Sequence, residues 1–177
     1  NEGDFCMAAE KVTPEAIKIA SFHMTDEALL RYVNRHVGTV FMSTGLADMS
    51  EIERAVGWLG DVQHLYVLHC VSEYPLPPEH ANLRVIETLR AKFGHRAKIG
   101  YSDHTAGIEV SIAAVALGAT VIEKHFTLDK NMEGPDHKAS LDPSELRAMV
   151  SAIRNIEQVL GDGIKKPTAR EIEIAAV

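Results

Sequence analysis

No apolar run in the chain approaches the roughly 18 residues that a membrane-spanning helix needs. Nor is there a basic, then apolar, then small-residue stretch that reads as a secretory signal. Cysteine is scarce: Cys6 and Cys70 stand far apart and no C-x-x-C pair occurs, which excludes a disulfide framework and a thiolate zinc site. A reducing cytosol is the expected compartment. Positive charge is in deficit, with a net charge of −7. That argues against a broad nucleic-acid surface, which needs clustered Lys and Arg, but one or two local cations still suffice for a small anion. The chain also lacks a G-x-G-x-x-G turn, an internal repeat, a low-complexity segment and a clear linker.

What is present has the balance of a soluble globular domain, 46% hydrophobic and 24% charged over 177 residues. Short runs rich in Ile and Val predict strands over Ala16–Ser21, Thr39–Ser43, Leu65–Cys70, Ala97–Ser102 and Thr120–Phe126. They are nearly continuous in hydrophobicity, as in parallel strands buried on both faces. Amphipathic helices lie between them. Ser50 with Glu53 makes a capping box, and helices ending at Gly94 and Gly118 have glycine caps. Asp142, Pro143 and Glu145 open a last long helix.

Five strand–helix units mean an α/β parallel sheet. Without a glycine-rich first turn, a doubly wound sheet is disfavoured. A (β/α)8 TIM barrel gathers polar functional residues at the C-terminal strand ends. Here Ser21, Ser43, Thr44, His69, Ser72, Ser102, His104 and His125 all fall at or just past such ends. Five strands cannot close a barrel. The chain opens on Asn1 and stops at Val177 in a helix-like stretch, so both ends read as cuts. Residues 1–177 are expected to be an incomplete fragment, about the last five β/α units of a barrel domain.

His104 and His125 end neighbouring strands, which lie about 4.8 Å apart, so both imidazoles can meet on one metal ion. Two neutral His with open positions suit Mn2+, Fe2+, Co2+ or Zn2+, with Asp103 or Glu123 orienting an imidazole from behind. The alternative is that both merely hydrogen-bond at the barrel mouth. Lys18, inside a buried-looking strand, is either an anion anchor or a snorkelling edge residue. Hydroxyls at Ser21, Ser43, Thr44, Ser72 and Ser102 can donate to one phosphate or carboxylate, though any single one is more often a cap. Tyr74 follows the third strand and is placed to flank a ligand. His69 reads as a satisfied core histidine, and His36, His64, His80 and His95 as solvent-facing. His137 follows Asp136 in a Gly-Pro loop. Cys6 and Cys70 are expected to be small apolar fillers, since no low-pKa setting is evident.

Quoted in order, "KIAS", "STG", "LHCVSEYP", "NLR", "GYSDHT", "ALGATVIEKHFTLD" and "GPDHKASL" resemble the sialic acid synthases, the N-acetylneuraminate synthase group with its legionaminic and pseudaminic acid relatives. The resemblance runs from about Ile17 to Thr168. It implies a (β/α)8 barrel followed by an antifreeze-like domain, and a homodimer in which that domain reaches over the partner's site. The implied reaction condenses phosphoenolpyruvate with an N-acetylated amino sugar (N-acetylmannosamine or a diacetamido hexose) and releases phosphate. A divalent metal serves it, Mn2+ before Mg2+ or Co2+. His104 and His125 match the metal ligands. Lys18, Ser21, Ser43, Ser72 and Ser102 match positions that hold phosphoenolpyruvate, Ser72 replacing an Asn of some members. Tyr74 and Asp136 match amino-sugar contacts.

The chain departs from that pattern at His23, where many members carry an acid. The resemblance also leads to the expectation that the first three strands and the antifreeze-like domain lie outside residues 1–177. Two other readings keep the barrel: a remnant with the fold but not the reaction, and a different metal-dependent enzyme such as a hydrolase, with no need of phosphoenolpyruvate.

Overall fold

Alternation of side chains across a pleated sheet accounts for most of the architecture. In the computed structural model, which describes residues 14–176, the strands are β1 Ala16–Ile19, β2 Thr39–Ser43, β3 His64–Cys70, β4 Lys98–Asp103 and β5 Ile122–Lys124. All pair in parallel and in chain order. β1 is shorter than expected because Ser21 opens a 3-10 turn, Ser21–His23. β5 is shorter because Phe126 leaves the sheet for an isolated bridge to Leu141.

The helices are α1 Glu27–His36, α2 Met49–Trp58, α3 Val85–Phe93, α4 Glu109–Ala116, α5 Pro143–Val159 and α6 Ala169–Ala175. Sequence reading passes over α1. Its signals are Asp26, whose side chain accepts the Leu29 N–H, and the buried stripe Leu29, Leu30, Val33. The capping box of α2 is Asp48 with Glu51, two residues before the expected pair, and Ser50 donates to the Asp48 carboxylate. Two boxes overlap in that stretch, and the one that sets a full negative charge at the helix N-terminus is used. Gly118 takes a left-handed φ of +100° beyond α4, whereas Gly94 stays right-handed at the end of α3. α5 opens at Asp142 and Pro143 as expected, and Asp142 with Glu145 also closes a capping box there.

Register sorts the strand residues onto two faces. Val40, Met42, Leu65, Val67, Ile99 and Tyr101 point outward and pack against helix residues such as Leu30, Val33, Ile52 and Leu89. Lys18, Phe41, Tyr66 and Lys98 are successive register partners on the other face. There the Phe41 and Tyr66 rings stack at 4.4 Å, with the Lys98 ammonium 5.7 Å from the Tyr66 ring. This second face is concave. Lys18 on β1 reaches Glu123 on β5 at 3.0 Å although three strands separate them, which only a curled sheet permits. Among the described residues β1 and β5 each pair along one edge, so the fold is a curled half-barrel, a partial (β/α) barrel. Of the described helices, none is long and apolar enough to cross a membrane.

Candidate active site

The concave face opens, at the C-terminal ends of the strands, into a cleft of about 310 Å³. Its position follows from the register. Asp103 and Lys124 are paired across β4 and β5 and point outward, so the next residues, His104 and His125, turn side by side into the cleft. Their ring centroids stand 5.5 Å apart. His104 Nδ1 lies 2.8 Å from the Val71 carbonyl oxygen. A carbonyl only accepts, so Nδ1 donates and the neutral ring keeps its lone pair on Nε2. Tyr74 covers both imidazoles, 4.0 Å from the His104 ring and edge-on to His125 at 5.8 Å.

Lys18, Ser21, Ser43 and Ser102 line the same cleft. Of the two readings left open for Lys18, anion anchor or snorkelling edge residue, its position is nearer the first: the ammonium lies on the concave face, beside Glu123 at 3.0 Å. Glu123 also accepts from Ser43 at 3.3 Å. Burial raises the Glu123 carboxyl, but hydrogen bonds from Ser102 and Lys18, the Lys18 charge and the Ser43 bond outweigh it and hold it below the ordinary value. Beside them is a small cradle. Gly45 donates its N–H to Ser21 Oγ at 3.0 Å, and a side chain at this position would collide with Ser72 and Ser21. Ser72 Oγ is buried there without a hydrogen-bond partner.

Several expectations are corrected. Neither Asp103 nor Glu123 backs an imidazole: Asp103 bonds Lys124, Thr105 and Ser111, and Glu123 bonds Lys18 and Ser43. Thr44 is no ligand donor, because its hydroxyl is buried against the Leu68 carbonyl at 2.9 Å. Cys70 is not a mere apolar filler. It lines the cleft and accepts from Ser21 at 3.5 Å. Burial raises its thiol, yet bonds from His104 and Ser21, the His104 charge and Ser102 bring it below the ordinary thiol value. Cys6 lies outside the described residues.

Burial likewise lowers His104, but its bonds to Cys70 and the Val71 carbonyl, and the negative charges of Cys70 and Glu123, leave it above the ordinary imidazole value. Asp136 sits in an adjoining small pocket that shares Tyr74, His104 and His125, with its carboxylate 4.0 Å from His125 Nδ1. Ser72 lies behind the cleft, and His23 is exposed on the 3-10 turn, where Phe22 is the residue that lines it. His69 is buried on the outer face and bonds the Ala81 carbonyl at 2.8 Å, as expected of a core histidine. His36, His64, His80 and His95 are exposed. His137 bonds Thr127 Oγ1 at 2.7 Å. Sequence reading missed Cys70 and the inward aim of Glu123; both follow from period-two alternation once the concave face is known.

Among the described residues no group of three His, Cys, Asp or Glu can hold a metal ion. Two imidazoles 5.5 Å apart, one with a lone pair oriented by Val71, do fit an ion that takes its other ligands from water or substrate.

The model of the NeuB family matches residues 5–165. This chain belongs to the NeuB family. The NeuB chain is 48% identical over 158 residues to an N,N'-diacetyllegionaminic acid synthase of Campylobacter jejuni, spanning 87% of this chain and 47% of that protein. A pseudaminic acid synthase of the same species is 39% identical over 175 residues, 92% of this chain and 50% of that one. The crystal structure of N-acetylneuraminic acid (sialic acid) synthetase from Leptospira borgpetersenii, in complex with citrate, superposes with a TM-score of 0.89 at 38% identity, covering 99% of this chain and 61% of that one. The chain thus spans about half the length of the curated relatives it matches. These relatives are sugar-acid synthases by name, and the chain has the fold of a partial (β/α) barrel.

Proposed function

We propose that this NeuB chain forms part of the active site of a phosphoenolpyruvate-dependent synthase. It joins phosphoenolpyruvate, an N-acetylated amino sugar and water into a nine-carbon sialic acid and phosphate. The observation that carries the reading is convergence: one ammonium, three hydroxyls and two imidazoles from four strands meet in one cleft. Lys18 with Ser21, Ser43 and Ser102 supplies charge-assisted donors for a phosphate or carboxylate. The partnerless Ser72 hydroxyl beside the Gly45 cradle has a hydrogen left to give. Tyr74 and Asp136 flank the place where the sugar lies.

In the reaction the enol carbon C3 of phosphoenolpyruvate bonds to the aldehyde carbon of the open-chain sugar, whose oxygen takes a proton. Positive charge left at C2 is quenched by water, which loses a proton as its oxygen bonds. The C2–O bond to phosphate then breaks, its electron pair leaving with the phosphate, while the C2 hydroxyl gives up its remaining proton, and a 2-keto acid remains. His104 and His125 would hold Mn2+, before Mg2+ or Co2+, and that ion supplies Lewis acidity toward the aldehyde oxygen. Lys18 and the hydroxyls hold the phosphate through this sequence, and Tyr74 covers the imidazoles. The same reading makes the working enzyme a cytosolic homodimer and the 177-residue segment inactive by itself.

The test is phosphate release from phosphoenolpyruvate by the longest natural form of the protein that carries this segment. Mn2+ is supplied with N-acetylmannosamine or a diacetamido hexose, beside a chelator control and His104→Ala. Release that needs metal, sugar and His104 supports the proposal, and the sugar accepted names the product. A folded, metal-loaded protein that releases no phosphate with any of these sugars refutes it.

A further inference from the structure

Asp103 and Lys124 form an ion pair at 2.8 Å whose side chains are 0% and 4% exposed. By register its side chains belong to the outward-facing set, although both residues also border the cleft, and the reaction described above makes no use of the pair. The carboxylate is fully subscribed. Oδ1 accepts from the Thr105 N–H at 2.8 Å and its hydroxyl at 2.7 Å, while Oδ2 accepts from Ser111 at 2.6 Å and from Lys124. Lys124 also donates to the Thr105 carbonyl at 2.6 Å. Charges so deeply buried are expensive to desolvate, and well-packed apolar residues of the same volume often serve stability as well or better. The pair is therefore weak evidence of a stabilising role, and its position in the register is the more informative feature.

Asp103 and Lys124 are direct register partners, and each immediately precedes one of the two cleft imidazoles. Slippage by one residue between β4 and β5 would turn one histidine out of the cleft. Lys124 grips β4 on both sides of His104, at Asp103 and at Thr105. Beyond His125 the chain is fastened independently: the Leu141 N–H donates to the His125 carbonyl at 2.9 Å, and Thr127 returns a bond to Leu141. We infer that the Asp103–Lys124 pair is a positioning device that holds His104 and His125 side by side in the cleft, at the spacing one shared ion requires. Its hydrogen bonds go to Thr105, Ser111 and each other, so it acts through the backbone and not through a bond to either ring.

This rests on the metal-dependent reading proposed above, and its test separates the two. Mn2+ affinity is measured by electron paramagnetic resonance of free Mn2+ in the longest natural form of the protein. The forms compared are wild type, His104→Ala, and Asp103→Leu combined with Lys124→Met. The double variant is expected to fold, with a Kd for Mn2+ raised about ten- to a hundred-fold, a loss of the size seen when the surroundings that hold metal ligands in place are removed. In its crystal structure the two rings are expected to leave the 5.5 Å arrangement. Should that protein not fold, Asp103→Asn with Lys124→Gln removes both charges at nearly unchanged shape and is read in the same way. A folded double variant with wild-type Kd and ring spacing overturns the positioning role. Wild-type protein that binds no Mn2+, or His104→Ala that binds it equally well, refutes the metal reading instead. The ring spacing alone then decides the role of the pair.

Discussion

His69 and His104 sit on adjacent strands and have opposite fates because alternation turns one outward and the other inward. On the outer face His69 packs beside Tyr101, with ring centroids 5.6 Å apart, and its pKa falls because burial outweighs the bond to the Ala81 carbonyl. Unfolding restores the ordinary value of 6.5, so the unfolded chain binds the proton more readily. The stability this neutral imidazole contributes is complete above that value and is lost as the pH falls through the lower, folded one. His69→Gln keeps a donor for Ala81 and has no proton to gain. Its urea midpoint is expected to fall less than that of wild type between about pH 7 and 5; parallel slopes would remove His69 as the cause. On the inner face, the proposed function makes Lys18 the charged donor for the anion. Lys18→Met should raise KM for phosphoenolpyruvate about ten- to a hundred-fold, the worth of one hydrogen bond to a charged group. An unchanged KM would place the anion elsewhere.

Among the elements, legibility followed locality. Ile- and Val-rich runs announce all five strands, and Asp142 with Glu145 announces α5 to the residue, because those signals lie within a few positions of one another. The α2 cap was misplaced since two boxes overlap and sequence alone does not choose between them. That yields a paired prediction. Asp48→Ala should lower the urea midpoint clearly more than Ser50→Ala, which loses only a bond to the Asp48 carboxylate. A larger loss at Ser50 would restore the first assignment. The strand-end histidines were legible too, as endings of adjacent strands. What Asp103 and Glu123 bond was not, because it depends on which face is concave and on contacts between residues up to 105 positions apart, as with Lys18 and Glu123.

That contact belongs to the scale of the whole half-barrel. Lys18 and Glu123 tie the first strand to the last across the hollow of the sheet, and Ser43 joins them from β2. Each backbone ladder fixes only neighbouring strands, so this side-chain tie is one of the few constraints on overall curl. Its side chains are 34% and 42% exposed, so solvent screens it and its energy is modest. Its pH dependence nonetheless has a definite sign. The Glu123 carboxyl lies below its ordinary 4.5 in the fold, so its contribution is complete above that value and is lost as the pH falls through the folded one. Acid should therefore loosen the curl before it unfolds the sheet. Amide exchange in β1 and β5 is expected to accelerate relative to β3 as the pH is lowered toward 4, after correction for intrinsic exchange. Lys18→Met should show faster edge exchange already at neutral pH and a smaller further change in acid. If exchange in β1 and β5 responds identically in the two proteins, the tie does not set the curl, and the packing of the outer face against the helices alone must shape the cleft.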